Sequence, residues 1–145
     1  MREILFRGKR IDNGEWVEGW YQPEVEWGDH RFGVALSCKT THGWLDDFEV
    51  IPETVGQYTG LTDKNGTKIF EGDVVRHHNG HPYAAVEKGK VYFDELYCGW
   101  RRTSNGAFHH GVVVTYKMSP ECVYEVIGNI HDNPELLDGK GDGNG

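Results

Sequence analysis

The sequence predicts a mainly β protein: a small, barrel-like antiparallel domain with an N-terminal β-hairpin and almost no helix. Three observations predict it. In the stretch Ile51 to Arg76, IPETVGQYTGLTDKNGTKIFEGDVVR, Val55, Gln57 and Thr59 alternate with Gly56, Tyr58 and Gly60. That period of two is the strand signal. Asn-Gly stands where runs reverse, at Asn13-Gly14 and Asn65-Gly66, and this pair tolerates the left-handed backbone of a hairpin turn. The chain also holds 20 Gly against 5 Pro, which suits many tight turns between short strands.

Each element follows in order. Ile4 to Arg10 is the first strand, Ile11 to Gly14 a turn, and Glu15 to Tyr21 the returning strand. Trp16, Glu18 and Trp20 share one face, and Val17, Gly19 and Tyr21 the other. Aromatics on both faces imply a hairpin covered on both sides, or one that contacts another subunit. Residues 22–31 are polar and broken by Pro23 and Gly28, which predicts a loop. Phe32 to Ser37 and Trp44 to Ile51 are strands about a Lys39–Gly43 turn. Pro52-Glu53-Thr54 suits one helical turn with Pro at its start. Val55 to Gly60 and Thr67 to Phe70 form a hairpin across Asp63–Gly66, and Glu71-Gly72-Asp73 turns the chain into Val74-Val75. This centre, 51–76, is expected to be a tight meander of neighbouring ribbons.

Beyond it, Arg76 to Pro82 is expected as a polar loop. Tyr83–Val86 and Lys90–Phe93 are expected as strands about a Glu87-Lys88-Gly89 turn. Arg101 to Gly106 is expected as a loop, and Gly111–Lys117 and Cys122–Ile130 as strands. Asn133 is an N-cap candidate before a Pro134–Leu137 turn. One domain over 1–137 and a flexible Gly-rich tail over 138–145 complete the expected organisation.

PETVGQYTGLTDKNGTKIFEGDVV resembles the signature of the YopX protein family, found in phages and prophages. Ile4–Arg10 with Gly14–Val17 resembles the family's opening strand pair. Tyr124–Ile130 with Asn133–Leu137 resembles its closing motif. The resemblance spans roughly 2–137; the segments near 21–50 and 77–118 carry none of it. It implies a mainly β fold with a barrel-like core and brings no activity with it.

Composition narrows the function classes. No run of ~18 apolar residues is present, as a transmembrane helix would need. The start, MREILFRGKR, has no apolar core of signal-peptide type, so the expected location is the host cytoplasm. Cys38, Cys98 and Cys122 form no CxxC pair, which suggests buried or idle thiols rather than disulfides or a zinc site. The formal net charge is −8, yet residues 76–118 hold six Lys or Arg against three acids, together with five of the eight His.

Four constellations of side chains could carry chemistry. His77, His78 and His81 with His109 and His110 offer metal-ligating nitrogens, but Gly80 and Pro82 deny the helix that would aim residues four apart at one ion. Solvated loop histidines are the simpler reading. Asp63, Glu71 and Asp73 offer carboxylates for acid–base work, but turn chemistry explains them as well. Cys98 near His109 and His110 has nothing to orient it as a nucleophile. Arg76, Lys88, Lys90, Trp100, Arg101 and Arg102, with Tyr92 and Tyr97, combine cations with stacking rings, as single-stranded nucleic acid sites do. The acidic total opposes encounter with phosphates.

No GxxxxGK[ST], HExxH or GxSxG motif is present. The expectation is therefore a non-enzymatic phage or prophage module without a cofactor. It would act through protein contacts and self-association as a homo-oligomer. The alternative is a nucleic-acid-binding accessory protein that uses residues 76–118.

Overall fold

The computed structural model describes residues 3–78, 87–109 and 112–137. They form eleven strands and two single 3-10 turns. Strand β1 is Phe6–Lys9, β2 Trp16–Glu26, β3 Phe32–Lys39, β4 Leu45–Glu49, β5 Gly56–Thr62 and β6 Lys68–Phe70. Strand β7 is Asp73–His78, β8 Glu87–Asp94, β9 Gly99–His109, β10 Val112–Lys117 and β11 Val123–Asn129. The protein is mainly β and antiparallel, as the alternation implied. The chain divides into two compact units, Met1–Tyr58 and Thr59–Gly145.

In the first unit, β1 pairs with β2 from Phe6↔Gly19 to Lys9↔Trp16, closed by a turn with Gly14 at φ 73. Strand β2 does not stop at Tyr21. It runs through Pro23 to Glu26, where a loop was expected. The register against β3 shifts between Gln22 and Val25. That irregularity absorbs a proline that has no N–H to give the ladder. Ile51 leads into the expected 3-10 turn, Pro52–Thr54. There Thr54 Oγ1 accepts from Lys9 N at 2.9 Å and donates to Ile51 O at 2.6 Å. Leu36, Cys38 and Val50 form the buried core, with Phe6, Val17, Val34, Phe48 and Val55 packed around them. Gly19 permits a close strand approach, since a Cβ there would lie 2.2 Å from Ser37 O.

Strand β5 begins beside β1, at Phe6↔Gln57, and neighbours β6 on its other side, giving the order β4-β3-β2-β1-β5-β6. The hairpin about Asp63–Gly66 forms as expected, with Gly66 at φ 81. The meander does not continue. Strand β7 leaves β6 and joins a second sheet, β10-β9-β8-β7-β11. Gly72, at φ 91, makes the switch, and its N–H and C=O bond Val91 O and Ile130 N instead of β6. Each sheet has two edge strands, so neither closes into a barrel among the described residues.

The second unit corrects three local expectations. Arg76–His78 belongs to β7, not to a loop. Glu87-Lys88-Gly89 is not a turn, because β8 runs straight through it. Gly89 serves closeness rather than reversal: a Cβ on it would lie 1.6 Å from Thr103 O. Arg101–Gly106 lies within β9, paired with β8 and β10. The expected strand Tyr83–Val86, His81, His110 and the tail 138–145 lie outside the described residues. Ile69, Val75, Val91, Met118 and Tyr124 form the core, with Leu61, Trp100, Cys122 and Val126 against it. Among the described residues, no helix is long and apolar enough to cross a membrane.

Candidate functional site

The carboxylates resolve first, because their partners decide what they can do. Asp63 is 7% exposed. Its Oδ1 accepts from the N–H of Asn65 and of Thr67, both at 2.9 Å. Its Oδ2 accepts from Val126 N at 3.0 Å. Burial pushes its acidity toward the neutral form, but the N–H groups of Val126, Thr67 and Asn65 outweigh burial and hold it below the usual carboxylate range. Asp73 is also buried and accepts from Phe70 N at 2.8 Å. Glu71 sits half-buried in the turn before it. Asp63 thus ties a hairpin tip to β11, and Asp73 ties the end of β6 to the start of β7. Both oxygens of Asp63 and Oδ2 of Asp73 accept from backbone N–H groups and serve geometry.

The histidines divide as well. His77 and His78 lie on β7 and His109 on β9. His77 Nδ1 lies 2.8 Å from Arg102 Nη2. A guanidinium only donates, so that nitrogen accepts and is not available to a metal. The His77 ring also lies 5.4 Å from the Tyr124 ring. Among the described residues, no group of three or more His, Cys, Asp or Glu is placed to hold a metal. Cys98 is exposed, with its Sγ toward Glu95 O at 3.5 Å.

The cations are sorted by register. Residues paired across an antiparallel ladder share a face, and neighbours along a strand do not. Arg102 pairs with Val91 of β8 and Tyr116 of β10, so it lies on the core side. It is 3% exposed, and its guanidinium lies 4.8 Å from the Tyr116 ring. Trp100 shares that side and meets Phe93 edge-on at 5.1 Å. Arg101 takes the opposite face, opposite Tyr92 and Lys117. Lys90 joins it by alternation from Tyr92, and Arg76 pairs with Lys88. Lys88 is buried at 3%. Arg76 Nη1 is 3.5 Å from Glu125 Oε1, whose other oxygen holds Lys64 at 2.6 Å.

Of the six residues proposed from sequence, Lys90 is exposed, and Arg101 shares its face with its side chain 21% exposed and its Nε 3.8 Å from Asp94 Oδ2. Trp100 and Arg102 face the core, Lys88 is buried, and Arg76 is engaged by an acid. Lys117 was missed as a site member. The signal was present: Thr115 and Lys117 share a face in the 112–117 strand. It was unusable while 101–106 was read as loop, because no strand then stood beside it.

In the first unit, Arg10, Trp27, Arg31, Asp47, Phe48 and Glu49 border an open groove of about 360 Å³. Its charges answer one another. Arg31 Nη1 lies 2.5 Å from Glu49 Oε2, and Arg10 lies over the Phe48 ring at 4.4 Å. Asp47 Oδ1 accepts from Ser37 Oγ at 2.5 Å. Arg10 Nη2 reaches Asp12 at 2.5 Å, and that bond holds the exposed Asp12 carboxyl below its usual range.

The family model described as YopX protein matches residues 5–138. The chain belongs to the YopX protein family. That membership covers both units and all eleven strands. The solved structure of protein EF1440 from Enterococcus faecalis is similar at 23% identity, over 95% of this chain and 100% of that one, with a TM-score of 0.44. No curated protein matches the chain.

Proposed function

We propose that this YopX-family chain is a non-catalytic interaction module of a phage or prophage, working in the host cytoplasm and assembling with copies of itself through its first unit. The observation that carries the reading is the edge of the first sheet. Among the described residues β4 is an edge strand; Glu49 O at its end accepts from Ile11 N, so the part of its outer row that offers itself to a further strand is Leu45–Asp47. Leu45 at the start of that edge is 53% exposed and the preceding Trp44 62% exposed. Leu45 pairs with Lys39, whose ammonium lies 5.6 Å from the Trp20 ring. Trp20 itself is 39% exposed. On the other face, Tyr21 is 42% exposed and lies 5.4 Å from Phe6. The two-sided aromatic hairpin thus leaves apolar surface beside an open edge.

The same reading explains the acids. Asp63 holds backbone donors through both oxygens and Asp73 through Oδ2, and the groove charges pair with one another. Light scattering on the purified chain tests the assembly. A mass at a multiple of 16.5 kDa that falls to a single chain in Leu45→Lys is the expected result. A single-chain mass for the unsubstituted protein at high micromolar concentration would overturn it.

A further inference from the structure

We propose that the face of β8, β9 and β10 opposite the Val91 core binds single-stranded nucleic acid, with Lys90, Arg101 and Lys117 on the phosphates and Tyr92 and Tyr97 as stacking rings. The proposal is independent of self-association and uses the second unit alone.

Register assembles the site. Tyr92, Arg101 and Lys117 stand side by side on three adjacent strands, which spans about 10 Å at the usual inter-strand spacing. Lys90 lies two residues along β8, about 7 Å away on the same face. Lys90 and Lys117 are exposed. Arg101 is pre-positioned: its Nη2 donates to Thr115 Oγ1 at 3.1 Å and to Thr115 O at 3.3 Å. That leaves the guanidinium 5.2 Å from the ring of Tyr97, which is 68% exposed at the β8–β9 turn.

The acid beside it offsets part of its charge through space. Asp94 Oδ1 accepts from the N–H of Leu96 at 3.0 Å and of Tyr97 at 3.3 Å, holding that turn. Its Oδ2 is 3.8 Å from Arg101 Nε, beyond hydrogen-bond reach.

The chemistry points to one occupant. Two adjacent cations, Arg101 and Lys117, with Lys90 two residues along β8 from Tyr92, complement a chain of phosphates. Rings interleaved with them add what a phosphate chain alone does not need, a surface for unstacked bases. A duplex keeps its bases stacked and would use the cations alone. The net charge of −8 opposes approach at long range, so binding should be moderate and strongly salt-dependent. Three phosphate contacts to a single strand give a slope of about −2 in log K against log salt. Affinity should therefore fall roughly twentyfold between 50 and 200 mM salt.

The experiment is fluorescence anisotropy of a labelled oligothymidylate titrated with the full chain, with a duplex of the same length beside it. The expected result is tighter binding to the single strand, with that salt slope. Lys90→Ala with Lys117→Ala should lower the slope to about −0.7, because two phosphate contacts are lost. Tyr92→Ala should weaken binding about tenfold and leave the slope unchanged, since stacking releases no counterions. Circular dichroism of each variant confirms that the sheet is retained. Absence of binding at 20 mM salt, equal or tighter binding to the duplex, or indifference to the Lys90 and Lys117 changes would each overturn the proposal.

Discussion

Among the described residues the first unit buries Ser37 and Thr54 whole and, of the half-buried Arg7, the atoms Nε and Nη2, whereas the second buries Asp63, Asp73, Lys88 and Arg102 together with Thr59 and Ser104. The first unit keeps its ion pairs at the surface, as with Arg31 and Glu49 or Arg10 and Asp12. Its buried hydroxyls join segments that its apolar core already holds. The second unit uses buried polar groups as joints. Asp63 carries three backbone N–H groups from two parts of the chain, and Arg102 reaches from β9 to His77 of β7. A buried charge with its partners is costly to leave half-satisfied. The difference teaches that equal-looking β units depend on different forces, and respond differently to substitution and pH.

The largest effect should come from Asp63→Ala. It strands three N–H donors, and hydrogen bonds to a charged group contribute about 1.5–3 kcal/mol each. The expected cost is at least about 3 kcal/mol at neutral pH, read by chemical denaturation. Faster amide exchange should appear across the second unit, first in 63–67 and 123–129. A cost below 1 kcal/mol would break the comparison.

Acid should come next. Because the folded Asp63 carboxyl is held below its unfolded value, the unfolded state binds that proton more tightly, and stability rises with pH. The contribution is full above about pH 4 and is lost as pH falls through the lowered folded value. Exchange protection should fail in the second unit before the first, whose surface pairs are screened by water. The alkaline side has a counterpart. Burial, with the neighbouring Cys122, pushes Tyr124 from 10.0 up to about 12. That contribution holds below pH 10 and fades as pH rises toward 12.

The smallest effect should be Thr54→Val in the first unit. It removes the bonds to Lys9 N and Ile51 O while keeping the volume, at about 1 kcal/mol. A shift in denaturation midpoint equal to that of Asp63→Ala would show that the two units do not differ in this way.

Much of the local structure was legible. Pro52 at the start of a 3-10 turn, Asn65-Gly66 in a hairpin, the opposite faces of Trp20 and Tyr21, and the closing Pro134–Leu137 turn each rest on chemistry within a few residues. Strand continuity through Pro23 and Gly89 was not legible. In sequence both residues are breakers. In the fold one sits at a register shift and the other where Thr103 O approaches too closely for a side chain. The candidate site was half legible for a related reason. Arg101 and Arg102 read as one basic pair until β9 is known to be a strand, and a strand sends them to opposite faces.

The amino-acid order alone determined the β character, the turns, the family and which residues alternate along each strand. Those depend on backbone preferences that act over two to five positions. Tertiary structure alone decided that β7 leaves β6 for another sheet, that Asp63 reaches Val126, and that Lys117 stands beside Arg101. Strand partners are chosen between segments far apart in the chain, by which buried donors and acceptors can satisfy one another, and alternation within a strand does not record that choice.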